Sequence, residues 1–282
     1  MQNLFNYSTL DTRLEKSTRT LFITLNTPQN ANSLSMEMLF ELESLFAWCT
    51  SRIEINSIFI NSSSKMFSKG IEKGSLKTLS SQNLEKIFIK LQKIVFAMMQ
   101  LPQTIVFDLG EGSELFGSEF ALGADLRIAS HEAKISFEHL KLGLIPGAGG
   151  LNMLSTFVGT CHAKNWIQSP HPVTKEALLS SGFLKSFYHK DEKQKMISSI
   201  LTEINSCAPV QRIQAKLALF ESIRTQIEAA IVIDRKVTKA ALISEDWKKD
   251  HYHKDESEDF MPAKSMSYAV KLSLIKTEDL HS

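Results

Sequence analysis

Side chains able to move protons or bind metal fall in three places along the 282 residues. The first is Glu119, in "GSEFALGADL". A carboxylate near a helix start can orient a water molecule or accept a proton; the helix dipole alone also favours an acidic residue there. The second is the pair Glu138–His139, just ahead of "LGLIPGAGG". Imidazole titrates near neutrality and suits acid–base work, although a lone histidine is more often structural. Neighbouring side chains diverge by about 100° even in a helical turn, so only one of the two can face a given point. The third is His251-x-His253 in "SEDWKKDHYHKDESEDF". That spacing can hold a metal ion, but a charge run of this kind reads as a solvated face, and no metal site is expected.

Separate elements must bring these residues together. "RTLFITLN" alternates apolar and polar positions as a strand does, with Leu21, Ile23 and Leu25 on one face. After the turn signals of "NTPQNANSLS", Ser35 is a fitting N-cap. Met38, Leu42, Leu45, Phe46 and Cys49 then recur at helical spacing. "NSIFINSS" reads as a second strand, the Gly-, Ser- and Lys-rich "SKMFSKGIEKGSLKTLSS" as a mobile loop, and residues 83–100 as a helix facing inward through Leu84, Ile87, Phe88, Leu91, Ile94, Val95 and Met98. "TIVFDLG" is a third strand, and "GSEFALGADLRIAS" a helix entering another. This alternation predicts an α/β layered fold. From Leu151 onward the pattern is mostly helical, over 163–168, 174–181 and 210–239, with "GFLKSFY" a strand end or a turn. Two regions are expected: a core over 1–205 and a helical C-terminal region over 206–282.

Composition narrows the function classes. A formal net charge of +1 gives no global field for nucleic acid or a membrane surface, so an anionic partner has to be held by local sites. Three widely spaced cysteines, Cys49, Cys161 and Cys207, suggest neither a disulfide framework nor a zinc site, which fits a reducing, cytoplasmic setting. No secretory signal and no membrane span is expected.

At "HLKLGLIPGAGGLNMLSTFVG" the chain resembles the crotonase superfamily, the enoyl-CoA hydratase/isomerase group. Its members carry Pro-Glu, a short spacer, Gly-Leu-x-Pro-x-x-Gly-Gly and a Leu-x-x-x-Val-Gly ending; residues 143–150 and 154–159 match closely. "LNTPQNANSLSMEMLFELESLF" resembles the family's first turn and helix, "KMFSKGIEKGSL" its Phe-x-x-Gly-x-Asp loop, and "LFGSEFALGADLRIASHEAKISF" its triple-glycine segment. "VTKEALLSSGFLKSF" resembles the stretch that follows. The match spans roughly residues 15–220 with the motifs in order, which a lone PGAGG would not equal.

The resemblance implies a superhelix of ββα units, a C-terminal cover that assembles trimers or pairs of trimers, acyl-CoA substrates, and no cofactor beyond the substrate's own coenzyme A. It also implies an enolate held by two backbone N–H groups, each worth about 2.7–4 kcal/mol in comparable oxyanion holes. By motif these are the amides of Ile71 and Phe116, with Lys69, Gly70 and Gly117 as substrate-binding neighbours. Glu119 falls on the family's first catalytic glutamate. The second maps to His139, its preceding proline to Glu138, so Pro-Glu has become Glu-His. Either His139 replaces the acid–base group, or the second carboxylate is lost.

Other departures concern bulk and anchoring. Phe116 stands where the family has glycine and would be strained in a left-handed backbone; Phe107 and Asp108 replace small residues and add bulk around the pocket. Asn30 takes the place of a basic residue, for which Lys65, Lys69 or Lys73 could compensate, and Lys216 resembles a family lysine. The family's late Lys-Arg pair is not recognisable. Three readings follow: an enoyl-CoA hydratase or isomerase using Glu119 with His139, an acyl-CoA-binding protein without turnover, or a thioester hydrolase. The retained Glu119 favours hydratase-type chemistry over the isomerase.

Overall fold

The computed structural model describes residues 4–71 and 73–248. The chain opens on an antiparallel hairpin, β1 (Leu10–Glu15) and β2 (Thr20–Leu25). Ser35, whose hydroxyl accepts from the Met38 amide, caps helix α1 (Met36–Cys49), satisfying one of the amides a helix start leaves unpaired. Strand β3 (Ser57–Ser62) pairs parallel with β2. The loop expected to be mobile holds a short helix, α2 (Lys73–Thr78), and buries Phe67.

Ser80 caps α3 (Ser81–Gln100), and every residue expected to face inward on it is buried. β4 (Thr104–Asp108), β5 (Gly112–Glu114), α4 (Phe116–Phe120), β6 (Leu126–Ser130) and β7 (Lys134–Ser136) follow. The remaining elements are α5 (Asn152–Val158), α6 (Thr160–Gln168), α7 (Lys175–Ser180), β8 (Ser186–Tyr188), α8 (Lys193–Ser206) and the long α9 (Pro209–Ser244). Thus "GFLKSFY" supplies a strand, while β1, β7 and α8 carry too weak a periodic signal to be delimited from sequence.

Among the described residues one sheet runs β1-β2-β3-β4-β6-β8, parallel after the hairpin. Its centre is apolar on both faces, as a covered parallel sheet requires; Ile58, Phe59 and Ile60 of β3 are all buried. A second, shorter ladder pairs β5 with β7 in parallel, and a bridge from Ser68 to Ser113 lays the 66–68 segment beside it. Three short extended segments therefore run side by side. Chain leaving their C-terminal ends carries Ile71, then Phe116 and Glu119, then His139. Residues far apart in sequence meet because these three ends meet, in the position where open α/β sheets place their ligands.

Helix α9 lies antiparallel on α3, with Lys216 near Met98, Arg235 on Gln92 and Leu242 on Ser81. It also packs against α5. No helix of the described residues is long and apolar enough to cross a membrane.

Candidate functional site

Glu119 and His139 are in direct contact. His139 Nε2 lies 2.9 Å from Glu119 Oε1, and both side chains are 0% exposed. The other carboxylate oxygen, Oε2, accepts from the amides of Ala148 (2.8 Å) and Gly150 (2.7 Å). The PGAGG turn thus has a physical task, which is to present two N–H groups to a buried carboxylate. His139 Nδ1 stands 3.2 Å from the Phe137 carbonyl. Since that carbonyl can only accept, Nδ1 carries a proton. Nε2 and Oε1 face each other at 2.9 Å, and neither atom has another hydrogen-bond partner among the described residues.

Glu138 turns outward and pairs with Lys141 at 2.8 Å. Of the adjacent pair in the sequence, the histidine faces the glutamate. The short 3-10 turn that starts at His139 separates the two directions.

The two amides expected to bind an oxyanion come close together. Gly70 has φ +77°, and a Cβ added to it would lie 2.8 Å from the Phe116 nitrogen. The Gly70 carbonyl accepts from the Leu34 amide at 2.6 Å, so across the planar trans peptide the Ile71 N–H points the opposite way. The Leu115 carbonyl is likewise taken by the amides of Ser118 and Glu119, which turns the Phe116 N–H away from α4. Among the described residues neither amide donates to a backbone carbonyl. Gly117 is needed for approach, because a Cβ there would stand 2.5 Å from the Ser68 carbonyl oxygen.

The strain expected at Phe116 falls one residue earlier. Leu115 takes φ 52° and ψ −122°, a conformation that costs a residue with a side chain of order 1–3 kcal/mol, while Phe116 begins α4. The Phe116 ring is buried, stacked on Phe88 at 4.8 Å and edge-on to His139 at 4.9 Å between centroids. Phe107 sits in the core against Phe67 and Phe120, each at 5.1 Å. Asp108 receives the Tyr188 hydroxyl and pairs with Lys193.

A cavity of about 480 Å³ opens beside the first loop, lined by Asn30, Ala31, Lys69, Ile71, Gly74 and Glu114. Lys69 and Lys65 are exposed there or close by. Lys216 is engaged inside the fold, with Nζ bonded to the carbonyls of Met98 and Gln103 and to Asp125. The His251-x-His253 motif lies outside the described residues. No group of three metal-ligating side chains occurs among those described.

Sequence reasoning missed one residue. Asp234 of α9 is 0% exposed, its Oδ1 takes the Asn152 side-chain amide, and Oδ2 has no partner among the described residues. Burial pushes its carboxyl up to about 7, against hydrogen bonds from Asn152 and Leu151 and with the Glu119 charge adding to the rise. Its signal was an aspartate on the apolar stripe Ile227, Ala230, Asp234, Thr238, Leu242, all buried at helical spacing.

The enoyl-CoA hydratase/isomerase family model matches residues 15–260. YngF of Bacillus subtilis is 28% identical over 237 residues, covering 82% of this chain and 89% of its own length. The short-chain-enoyl-CoA hydratase of Clostridium acetobutylicum is 26% identical, covering 83% and 90%. A crystal structure of enoyl-CoA hydratase from Bacillus halodurans superposes with a TM-score of 0.78 at 21% identity, over 86% of this chain and 98% of that one; it speaks for the fold. The fold is thus crotonase-like, a mixed α/β core with a helical C-terminal region, and the chain belongs to the enoyl-CoA hydratase/isomerase family.

Proposed function

We propose that the protein adds water to an α,β-unsaturated acyl-CoA thioester, with Glu119 and His139 handling the protons and the amides of Ile71 and Phe116 holding the thioester oxygen. The observation that carries this reading is the buried 2.9 Å contact between Glu119 and His139 beside the Gly70–Phe116 approach. One member of the pair takes a proton from water as its oxygen bonds to the β-carbon. The electron pair of the double bond moves toward the thioester oxygen, where two N–H groups meet the growing negative charge. A proton then passes to the α-carbon, so that the elements of one water molecule have been added. No cofactor is required, since coenzyme A arrives with the substrate; the crevice at Asn30, Lys69 and Ile71 suits its polar portion. Unpaired Cys49, Cys161 and Cys207 fit a cytoplasmic protein. Leu219, 71% exposed on α9, fits a subunit contact in a trimer or hexamer.

A specific observation favours a second reading. The Phe116 ring, packed on His139 and Phe88, takes room next to the pair, as in an acyl-CoA-binding protein without turnover. Crotonyl-CoA in deuterated water separates the two. Incorporation of deuterium at the α-carbon supports hydration, and Glu119→Gln is expected to lower it by about 10²–10⁴-fold. Calorimetric binding without exchange supports the second reading, and release of free thiol would show hydrolysis instead. Full activity in the Glu119→Gln variant would remove this residue from the mechanism.

A further inference from the structure

The PGAGG turn that holds Glu119 is itself held from the C-terminal helix. Gly150 donates to Glu119 Oε2, and two residues further on the Asn152 side chain donates to Asp234 Oδ1. One turn further along α9, Thr238 packs on the same loop: a Cβ at Gly147 would lie 2.9 Å from Thr238 Cγ2 and 2.7 Å from the Phe88 ring. One hydrogen bond at each end of the 150–152 stretch therefore ties α9, through the start of α5, to the carboxylate facing His139.

Asp234 is costly for a purely structural role. It occupies a stripe otherwise filled by Ile227, Ala230, Thr238 and Leu242 and leaves Oδ2 without a partner among the described residues. An apolar residue would pack there without a buried, half-paired carboxyl. The charged groups around it are few. α4 presents Glu119, with His139 behind it; α5 contributes the uncharged Asn152. Arg235, the next residue on α9, is directed to Gln92 of α3 at 2.7 Å.

We propose that Asp234 is a positioning residue of the Glu119–His139 pair: through Asn152 it fixes the 147–152 segment whose amides hold Glu119, and a change of charge on it is felt at the pair. The proposal rests on the hydration reading given above and adds a device that tunes it. When Asp234 ionises, its charge and that of the Glu119 carboxylate repel, and the 147–152 segment between them responds. The raised proton affinity of Asp234, caused by burial, places this change near neutral pH.

Asp234→Asn keeps the shape and removes the ionisation. The Glu119 carboxyl carbon and the His139 ring nitrogens are followed by NMR from pH 5 to 8 in the full chain without substrate. Wild type is expected to show an inflection in both that the variant lacks; superimposable curves would overturn the proposal. Asn152→Ala, which removes one donor and leaves the carboxyl in place, is expected to displace the same resonances. It serves as the deciding variant if Asp234→Asn does not fold, and unchanged resonances would then overturn the proposal. With crotonyl-CoA, kcat for α-deuterium exchange should fall about tenfold in Asp234→Asn with KM within twofold of wild type. A wild type without exchange would remove the hydration reading, while the NMR comparison would still decide the role of Asp234.

Discussion

Gly70 shows how much of the site depends on the absence of one methyl group. Its φ of +77° is open to glycine at little cost, and its Cα stands where any Cβ would press to 2.8 Å from the Phe116 nitrogen. Gly70→Ala therefore combines a left-handed backbone with a clash against main chain, which cannot swing aside as a side-chain tip could. The expected cost is about 2 kcal/mol or more in chemical denaturation. On the proposed hydration, displacing the Phe116 amide should also lower deuterium exchange at least tenfold, because the donor would no longer meet the oxyanion. Unchanged exchange in a folded Gly70→Ala protein would argue against the amide's role. At the same scale, the histidine of the adjacent Glu138–His139 pair turns inward to face Glu119, while Glu138 turns outward to Lys141.

Between elements, the contact of α9 with α5 has a pH dependence whose sign can be worked out. Asp234 rises from 3.8 to about 7 on folding because burial disfavours its charge. The folded state thus holds this proton more tightly than the unfolded chain. Its contribution is complete below pH 3.8, declines as pH rises, and is gone above about 7. Across that window the loss amounts to at most about 4 kcal/mol. Asp234→Asn, which cannot ionise, should gain on wild type as pH rises. Guanidinium unfolding of both proteins at pH 5 and pH 8 tests this. A stability difference equal at the two pH values would refute the assignment.

For the molecule as a whole, the C-terminal helix is part of the core that holds the site. Arg212 donates to the Pro102 carbonyl and to Thr104, Lys216 joins Met98, Gln103 and Asp125, and Ser81 reaches Leu242 near the far end. Burial lowers the proton affinity of the Lys216 ammonium, and Asp125 opposes that shift, so the pair is mutually dependent. Lys216→Met removes one partner and leaves two carbonyls and a carboxylate to be satisfied by solvent. A loss of about 3 kcal/mol is expected, with faster amide hydrogen exchange along α9. A solvated lysine of the kind that binds a substrate phosphate would instead leave stability unchanged when replaced.

The family and much of the α/β order could be read from the chain because those properties are local. Residues 143–150 require a particular turn, the apolar face of α3 repeats at helical spacing, and Ser35 marks a helix start by its own side chain. The positions of Glu119 and His139 in the motifs were legible for the same reason. Their contact was not, for it depends on the ends of β5 and β7 lying side by side, and neither three-residue strand has a period that identifies it. Asp234 is the clearest case. In sequence it is one acid on a long helix; only the docking of α9 against α5 removes it from water, raises its proton affinity and connects it to the turn that grips Glu119.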